Sequence, residues 1–435
     1  MEQPVPNPEA DPTPRPAGSP GPIPSGAIVV PLALQASVSV ATSGEKAPAV
    51  GAARAVSRVT NPVGAPTAAT TPNTTTPPRP NTSALLRRPR HEDFTLCDLA
   101  AIRNVLRSGS VIDWHRLYFI DRDEVDRFLR VNEFDPSSKT EMARLEDLRE
   151  QAVEYCERHL GFNIPTEVAE GVPARDLLLV ASQKGKRRAY ACIVLKVMHV
   201  LHHLAGRELL NQLPVSGDQI FHLVEEKVLR TVEEIKAAGC GIAEFQWSRK
   251  HADSLITKLL AKRETIAADV YDQLRFRMIT TSEDQILLVL REITQRLVPF
   301  NYVIPGQSVN DVLDFRRVLE SSAALAKFLP DLQELAAVAG DKKPPVQNEF
   351  SGPGYRVINF VADLPVRIDK FLCRRPDDPL FAENGAIVFV LTEFQIVDAR
   401  TADQNESGEN SHERYKQRQA ARVKARLMHG LKDDA

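Results

Sequence analysis

Between Gln246 and Ile279 the hydrophobic period changes from that of a helix to that of a strand, and charge sits on both sides of the change. No Gly or Pro interrupts Ser248 to Arg263, and Leu255, Ile256, Leu259 and Leu260 fall at helical spacing. Lys250, Ser254 and Lys258 recur every four residues and so share a second face. Arg249, Lys250, Lys258, Lys262 and Arg263 outweigh Asp253 and Glu264, so this predicted helix is cationic. From Asp269 to Ile279, Val270, Asp272, Leu274, Phe276 and Met278 alternate with Tyr271, Gln273, Arg275 and Arg277, which is a strand period. A cationic helix beside a strand carrying a carboxylate holds the groups that a nucleotide polyphosphate with magnesium needs. A solvated lysine face and a half-buried strand give the same letters.

A second acid lies downstream. Ala386 to Asp398 reads as another strand, in which Glu393 and Gln395 are two apart and share a face. A carboxylate in the middle of an apolar strand is costly unless it has a partner. Magnesium shared with Asp272 would supply one, and so would an ion pair with Arg277. Arg356 to Ala362 reads as a further strand, reached through Ser351-Gly-Pro-Gly-Tyr355. Its glycines permit close backbone approach and Tyr355 offers a stacking face, while plain turn punctuation fits the same letters.

The rest of the chain frames these pieces. Residues 1–90 hold 18 of the 31 prolines among Ala, Thr and Ser, too little apolar surface to offset the entropy of ordering, so a disordered tail is expected there. Residues 91–243 have a helical pattern, with helices expected at Phe94–Leu106, Ser138–Leu160, Arg187–Leu213 and Gln219–Ala238. Residues 244–435 mix strands and helices, including Asp284–Leu297, Asp311–Ala339 and a basic helix at His412–Met428. His199 and His203 have a spacing that can hold a metal on one helix face, but no Glu stands between them as in HExxH, and core or interface histidines fit as well.

The formal net charge is −2, so no bulk nucleic-acid binding is expected and any polyanion site must be local. Five cysteines without CxxC spacing read as reduced thiols. No signal peptide or membrane span is expected, and the cytoplasm is the expected location.

Taken in order, the pieces resemble the synthetase domain of the RelA/SpoT-type alarmone synthetases over roughly Phe245 to Lys416. The residues that carry the resemblance are Lys250, Ser254-Leu-Ile-Thr-Lys258, Asp272-Gln-Leu-Arg-Phe-Arg277, Gly354-Tyr355, Glu393-Phe-Gln395 and Tyr415-Lys416. The resemblance implies an α+β chain in which a helical N-terminal domain precedes a nucleotidyltransferase-like mixed β-sheet domain flanked by helices. It implies transfer of pyrophosphate from ATP to the 3′-hydroxyl of GDP, GTP or another acceptor nucleotide, with Mg2+ as cofactor. Asp272 and Glu393 would be the catalytic and metal-holding carboxylates. Lys250, Lys258 and Arg277, with Arg249 nearby, would face the ATP phosphates, and Tyr355 would stack on the guanine. Ser254 and Gln395 would complete the nucleotide-binding residues. The chain departs from the family pattern at Arg275, Val357, Asn359 and Val397, and its first basic pair is displaced to Arg249. No His-Asp dipeptide supports a hydrolase half. The alternative expectation is a catalytically silent nucleotide- or partner-binding module on the same fold.

Overall fold

The computed structural model describes residues 88–261, 273–333, 350–352, 354–374, 378–381 and 384–428. Nearly all of the Pro-rich tail lies outside the described residues, as do Asp272 and Lys262.

Helices fill the first half of the described chain. They are α1 (Leu96–Arg107), α2 (Arg122–Val131), α3 (Lys139–Leu160), α4 (Thr166–Ala169), α5 (Leu177–Val180), α6 (Lys186–Gln212) and α7 (Gly217–Ala237). Their starts follow capping chemistry. Thr95 caps α1 by accepting from Asp98 N at 3.3 Å, while the Asp98 carboxylate accepts from Thr95 N at 3.0 Å. Ser138 caps α3 by accepting from Glu141 N, and α3 ends on Gly161 at φ 65°, a left-handed turn that suits glycine. Ser216 and Gln219 form a second capping box at α7.

The second half builds β1 (Ile242–Arg249), α8 (Ala252–Ala261), β2 (Leu274–Thr280), α9 (Asp284–Arg296), β3 (Val309–Asn310), α10 (Phe315–Ser321), α11 (Ala323–Ala326), β4 (Ile358–Arg367), β5 (Ile387–Asp398), α12 (Ala399–Glu406) and α13 (His412–Leu427). The described chain is thus mixed α+β, with one five-stranded sheet in the order β1-β2-β5-β4-β3. β2 and β5 run parallel, and the other neighbours are antiparallel.

Two expected elements differ. Ser248 and Arg249, read as the start of a helix, belong to β1, which pairs with β2 from Ile242 to Arg249. The apolar alternation of Phe245 and Trp247 sets this strand, and the helix begins only at Ala252. The single helix expected over Asp311–Ala339 is broken. Asn310 closes a turn on Leu313 N at 3.0 Å, Asp314 caps α10, and Ser322 is extended at φ −117°. A further helical run reaches residue 333, where this part of the description stops.

Strand β4 is longer than expected and includes Pro365. The Pro365 carbonyl accepts from Lys227 Nζ at 2.7 Å, away from β5, so its missing N–H lies on an edge that needs no ladder bond.

One side of the sheet is apolar. Phe245, Phe276, Phe394 and Phe360 stack from strand to strand, with ring centroids 6.0, 5.8 and 5.3 Å apart. They join Ile286, Ile293 and Leu297 of the α9 region, together with Leu99, Leu148 and Ile235 of the helical half, in one connected buried cluster.

Helix α6 reaches the sheet at the Phe389 end of β5. A Cβ at Gly206 would lie 2.6 Å from the Phe389 ring and 2.7 Å from the Ile387 carbonyl oxygen, so only glycine lets the two elements touch. By length and composition alone, α6 is the one described helix apolar enough to cross a membrane, with 27 residues and a mean hydropathy of 1.3 in its most apolar window. Here Ala191, Val194, Met198, Gly206 and Leu209 are buried against the rest of the protein.

Candidate functional site

The sheet face opposite the phenyl stack is polar, and strand register explains why. Across β1, β2, β5 and β4, one row reads Ser248, Arg275, Glu393, Val361, and the next but one reads Gln246, Arg277, Gln395, Asn359. Between them lies the apolar row Trp247, Phe276, Phe394, Phe360, whose side chains point to the other face.

Glu393 is buried, with its side chain 8% exposed. Its Oε2 accepts from Arg275 Nε at 2.7 Å, and its Oε1 accepts from Gln395 Nε2 at 3.3 Å. Gln395 Nε2 also donates to Asn359 Oδ1 at 3.2 Å. The ion pair anticipated between Glu393 and Arg277 therefore falls to Arg275. In the parallel ladder Arg275 stands directly across from Glu393, while Arg277 stands across from Gln395.

The Arg277 guanidinium is half satisfied. Its Nη1 is 3.5 Å from Glu406 of α12, while Nε and Nη2 are buried without a hydrogen-bond partner among the described residues. Unmatched donors of a buried cation are costly, and an anion placed between them would remove that cost.

Tyr355 lies over the same face, packed on Ile279, Val357, Val397 and Ala402. Burial pushes its hydroxyl pKa up; nearby Arg277 and Arg275 oppose the shift, and Glu393 and Tyr415 add to it. The glycines before it are explained by packing. A Cβ at Gly352 would lie 2.2 Å from Asn410 Oδ1 and 2.8 Å from the Glu409 carbonyl, and Gly354 N donates to Asn410 Oδ1 at 3.3 Å. The close approach foreseen for these glycines is thus to the 408–410 turn.

Of the remaining predicted residues, Arg249 points elsewhere. It lies on the other side of β1, where Nε and Nη2 grip Glu225 of α7 at 2.6 and 2.8 Å and Nη1 reaches Asp218 at 3.1 Å. Lys250 N donates to the Gln273 carbonyl at 2.9 Å, which sets α8 off from the ends of β1 and β2. Ser254 and Lys258 lie on α8, which packs against α13, and Arg426 donates to the Leu260 carbonyl. At its other end α13 meets the loop before β4. Tyr415 packs edge-on to Phe350, and Arg418 Nε donates to the Phe350 carbonyl at 2.9 Å. Helix α13 therefore links α8 to the loop that carries Tyr355.

Asp272 lies outside the described residues, so the second carboxylate of the expected magnesium pair is not placed. The described donor set does not fit a metal ion. It contains one carboxylate, whose oxygens are engaged by Arg275 and Gln395, and no group of three His, Cys, Asp or Glu side chains poised for a metal occurs among the described residues.

The three histidines of α6 serve the contact with the sheet. His203 Nε2 is 2.6 Å from Asp363 Oδ2, and the Tyr302 ring packs at a tilt against His199 and Phe389, with centroids 4.5 Å apart in each case. Burial pushes the pKa of His199 and of His202 down to about 3.

No protein-family model matches the sequence, and no curated protein does. Among solved structures, the chain is similar to small alarmone synthetase 2 from Bacillus subtilis at 14% identity and a TM-score of 0.25, over 50% of this chain and 96% of that one. It is also similar to small alarmone synthetase 1 from Bacillus subtilis bound to its product pppGpp, at 14% identity and a TM-score of 0.24, over 54% of this chain and 94% of that one. A GTP pyrophosphokinase family protein from Streptococcus pneumoniae gives 15% identity and a TM-score of 0.23, over 51% of this chain and 92% of that one. A TM-score of that size assigns neither fold family nor activity to this chain.

What the geometry offers chemically is a polar strip with two guanidinium groups, one buried acid and a tyrosine over it. Reasoning from sequence missed Arg275 as the partner of Glu393, Asn359 as the partner of Gln395, and Glu406 altogether. A period of two puts Glu393 and Gln395 on one face, but cross-strand partners depend on register, for which a single sequence carries no signal.

Proposed function

We propose that this protein is a diverged RelA/SpoT-like nucleotide pyrophosphokinase that transfers pyrophosphate from ATP to the 3′-hydroxyl of a guanosine or other nucleotide. The observation that carries the reading is the buried guanidinium of Arg277, with Nε and Nη2 unmatched among the described residues, on a face shared with Glu393 and Tyr355. Phosphoryl-type transfer is chiefly positioning and charge stabilisation, and a preplaced cation supplies both.

In the reaction the acceptor oxygen bonds to the β-phosphorus of ATP, the bond from that phosphorus to the bridging α–β oxygen breaks, and AMP leaves. Glu393 takes the acceptor proton, Asp272 supplies the second carboxylate, Arg277 faces the polyphosphate with Lys250, Ser254 and Lys258 from the α8 side, and Tyr355 with Gln395 holds the acceptor base. The cytoplasm is the proposed site of action.

One observation favours a second reading, a catalytically silent nucleotide-binding module: Glu393 Oε2, the oxygen that would take the acceptor proton, is already engaged by Arg275. The test is incubation of the full chain with γ-labelled ATP, Mg2+ and GDP or GTP beside Asp272→Asn. Labelled product that is absent from the variant supports the enzyme. ATP binding without product moves the assignment to the silent module, and absence of ATP binding overturns both.

A further inference from the structure

We infer that Arg275 is the built-in cation of this site, occupying the place at Glu393 that a divalent ion would otherwise take, so that a polyphosphate docks on this face without a metal bound to Glu393. The inference rests on the reading of this face as a polyphosphate site, and it adds which charge balances the buried acid.

A carboxylate as buried as Glu393 needs a counter-charge. The structure supplies it from the directly opposite position of the parallel ladder, through a charge-assisted hydrogen bond of 2.7 Å. The other Glu393 oxygen is turned to Gln395, whose amide is also held by Asn359. Both oxygens are thus directed at donors within the sheet. A divalent ion entering here would have to displace Arg275 while sharing the face with Arg277, whose positive charge is only weakly offset by Glu406 at 3.5 Å. With Arg275 matched to Glu393, Arg277, two residues along β2 on the same face, is the guanidinium that meets a phosphate group, in the planar, multi-donor form that recognises phosphate oxygens.

The test has two arms on the full chain. In the first, Mn2+ binding is followed by electron paramagnetic resonance without nucleotide, for the wild type, Glu393→Gln, Arg275→Gln and the double variant. Arg275→Gln removes the charge while keeping a donor for Glu393, and Arg275→Ala serves as a second version if that protein does not fold. The expected result is that Arg275→Gln gains one Mn2+ site that Glu393→Gln removes from the double variant, while Glu393→Gln alone leaves wild-type Mn2+ binding unchanged. Loss of a wild-type Mn2+ site in Glu393→Gln would overturn the inference, and so would the failure of both Arg275 variants to gain one.

In the second arm, ATP binding is measured by calorimetry in EDTA and in Mg2+. The wild type is expected to change by less than threefold and Arg275→Gln by more than tenfold. Equal dependence on Mg2+ in the two proteins counts against the inference. If no protein binds ATP, the polyphosphate reading falls, and the Mn2+ arm still decides the role of Arg275.

Discussion

His203 on α6 holds Asp363 on β4, with Nε2 2.6 Å from Oδ2, and so ties the helical half of the protein to its sheet. Asp363 is almost fully buried, its other oxygen has no hydrogen-bond partner among the described residues, and Arg207 stands 3.5 Å from the oxygen that His203 holds. Removing His203 leaves an under-compensated buried charge. His203→Ala is therefore expected to cost about 2–4 kcal/mol in urea unfolding. Asp363→Asn, which removes the charge and keeps an oxygen facing His203, should cost less. An equal or greater loss in Asp363→Asn would show that the charge is not the reason.

Acid should loosen the same region. His199 and His202 have pKa values lowered to about 3, by burial first, with His203 opposing the charged form of both and Arg144 also opposing that of His202. In the unfolded chain they titrate near the ordinary value of 6.5. The unfolded state therefore binds more protons below that pH, and stability present above it is lost as pH falls from 6.5 towards 3. Well below 6.5 each histidine contributes a slope of about 1.4 kcal/mol per pH unit. Urea unfolding at pH 7 and pH 5.5 checks this, and His202→Leu should flatten the difference by roughly half. An unchanged difference in that variant would remove His202 from the account.

Gly206 admits no side chain. With 2.6 Å to the Phe389 ring and 2.7 Å to the Ile387 oxygen available, Gly206→Ala is expected to destabilise by about 1–3 kcal/mol through forced separation of α6 from β5. The ring is one obstacle and the backbone oxygen the other. Adding Phe389→Leu should recover part of the loss and never all of it, as read by thermal unfolding.

Stability and binding should part company at Arg277. Its unmatched buried nitrogens weaken the fold, so Arg277→Met should leave stability unchanged or raise it by about 1 kcal/mol. The same change should lower ATP affinity at least tenfold in calorimetry. A clear loss of stability with ATP affinity intact would make Arg277 a structural residue.

Local patterns were legible in the sequence, and long-range pairings were not. The strand read over Ala386 to Asp398 matches β5 almost to the residue, and the helix read over Ser138 to Leu160 matches α3, because both signals lie within a few neighbouring side chains. The contact of Arg275 with Glu393 spans 118 positions of chain, and only pairing of β2 with β5 decides that Arg275 faces the acid and Arg277 does not. Arg249 misled for a related reason. Absence of Gly and Pro from Ser248 to Arg263 predicts helix there, whereas β1 carries Arg249 to the side of the sheet where Glu225 lies on α7.

The stacked phenyl rings of Phe245, Phe276, Phe394 and Phe360 bear on how a lineage built on this scaffold diversifies. Each ring shares its strand with a polar neighbour that looks the opposite way. Architecture and chemistry are therefore interleaved letter by letter. Descendants can trade the Arg275–Glu393 pair together, or Gln395, for other polar groups, silencing or redirecting whatever this surface does, while the aromatic ribbon beneath keeps the same strands in the same order.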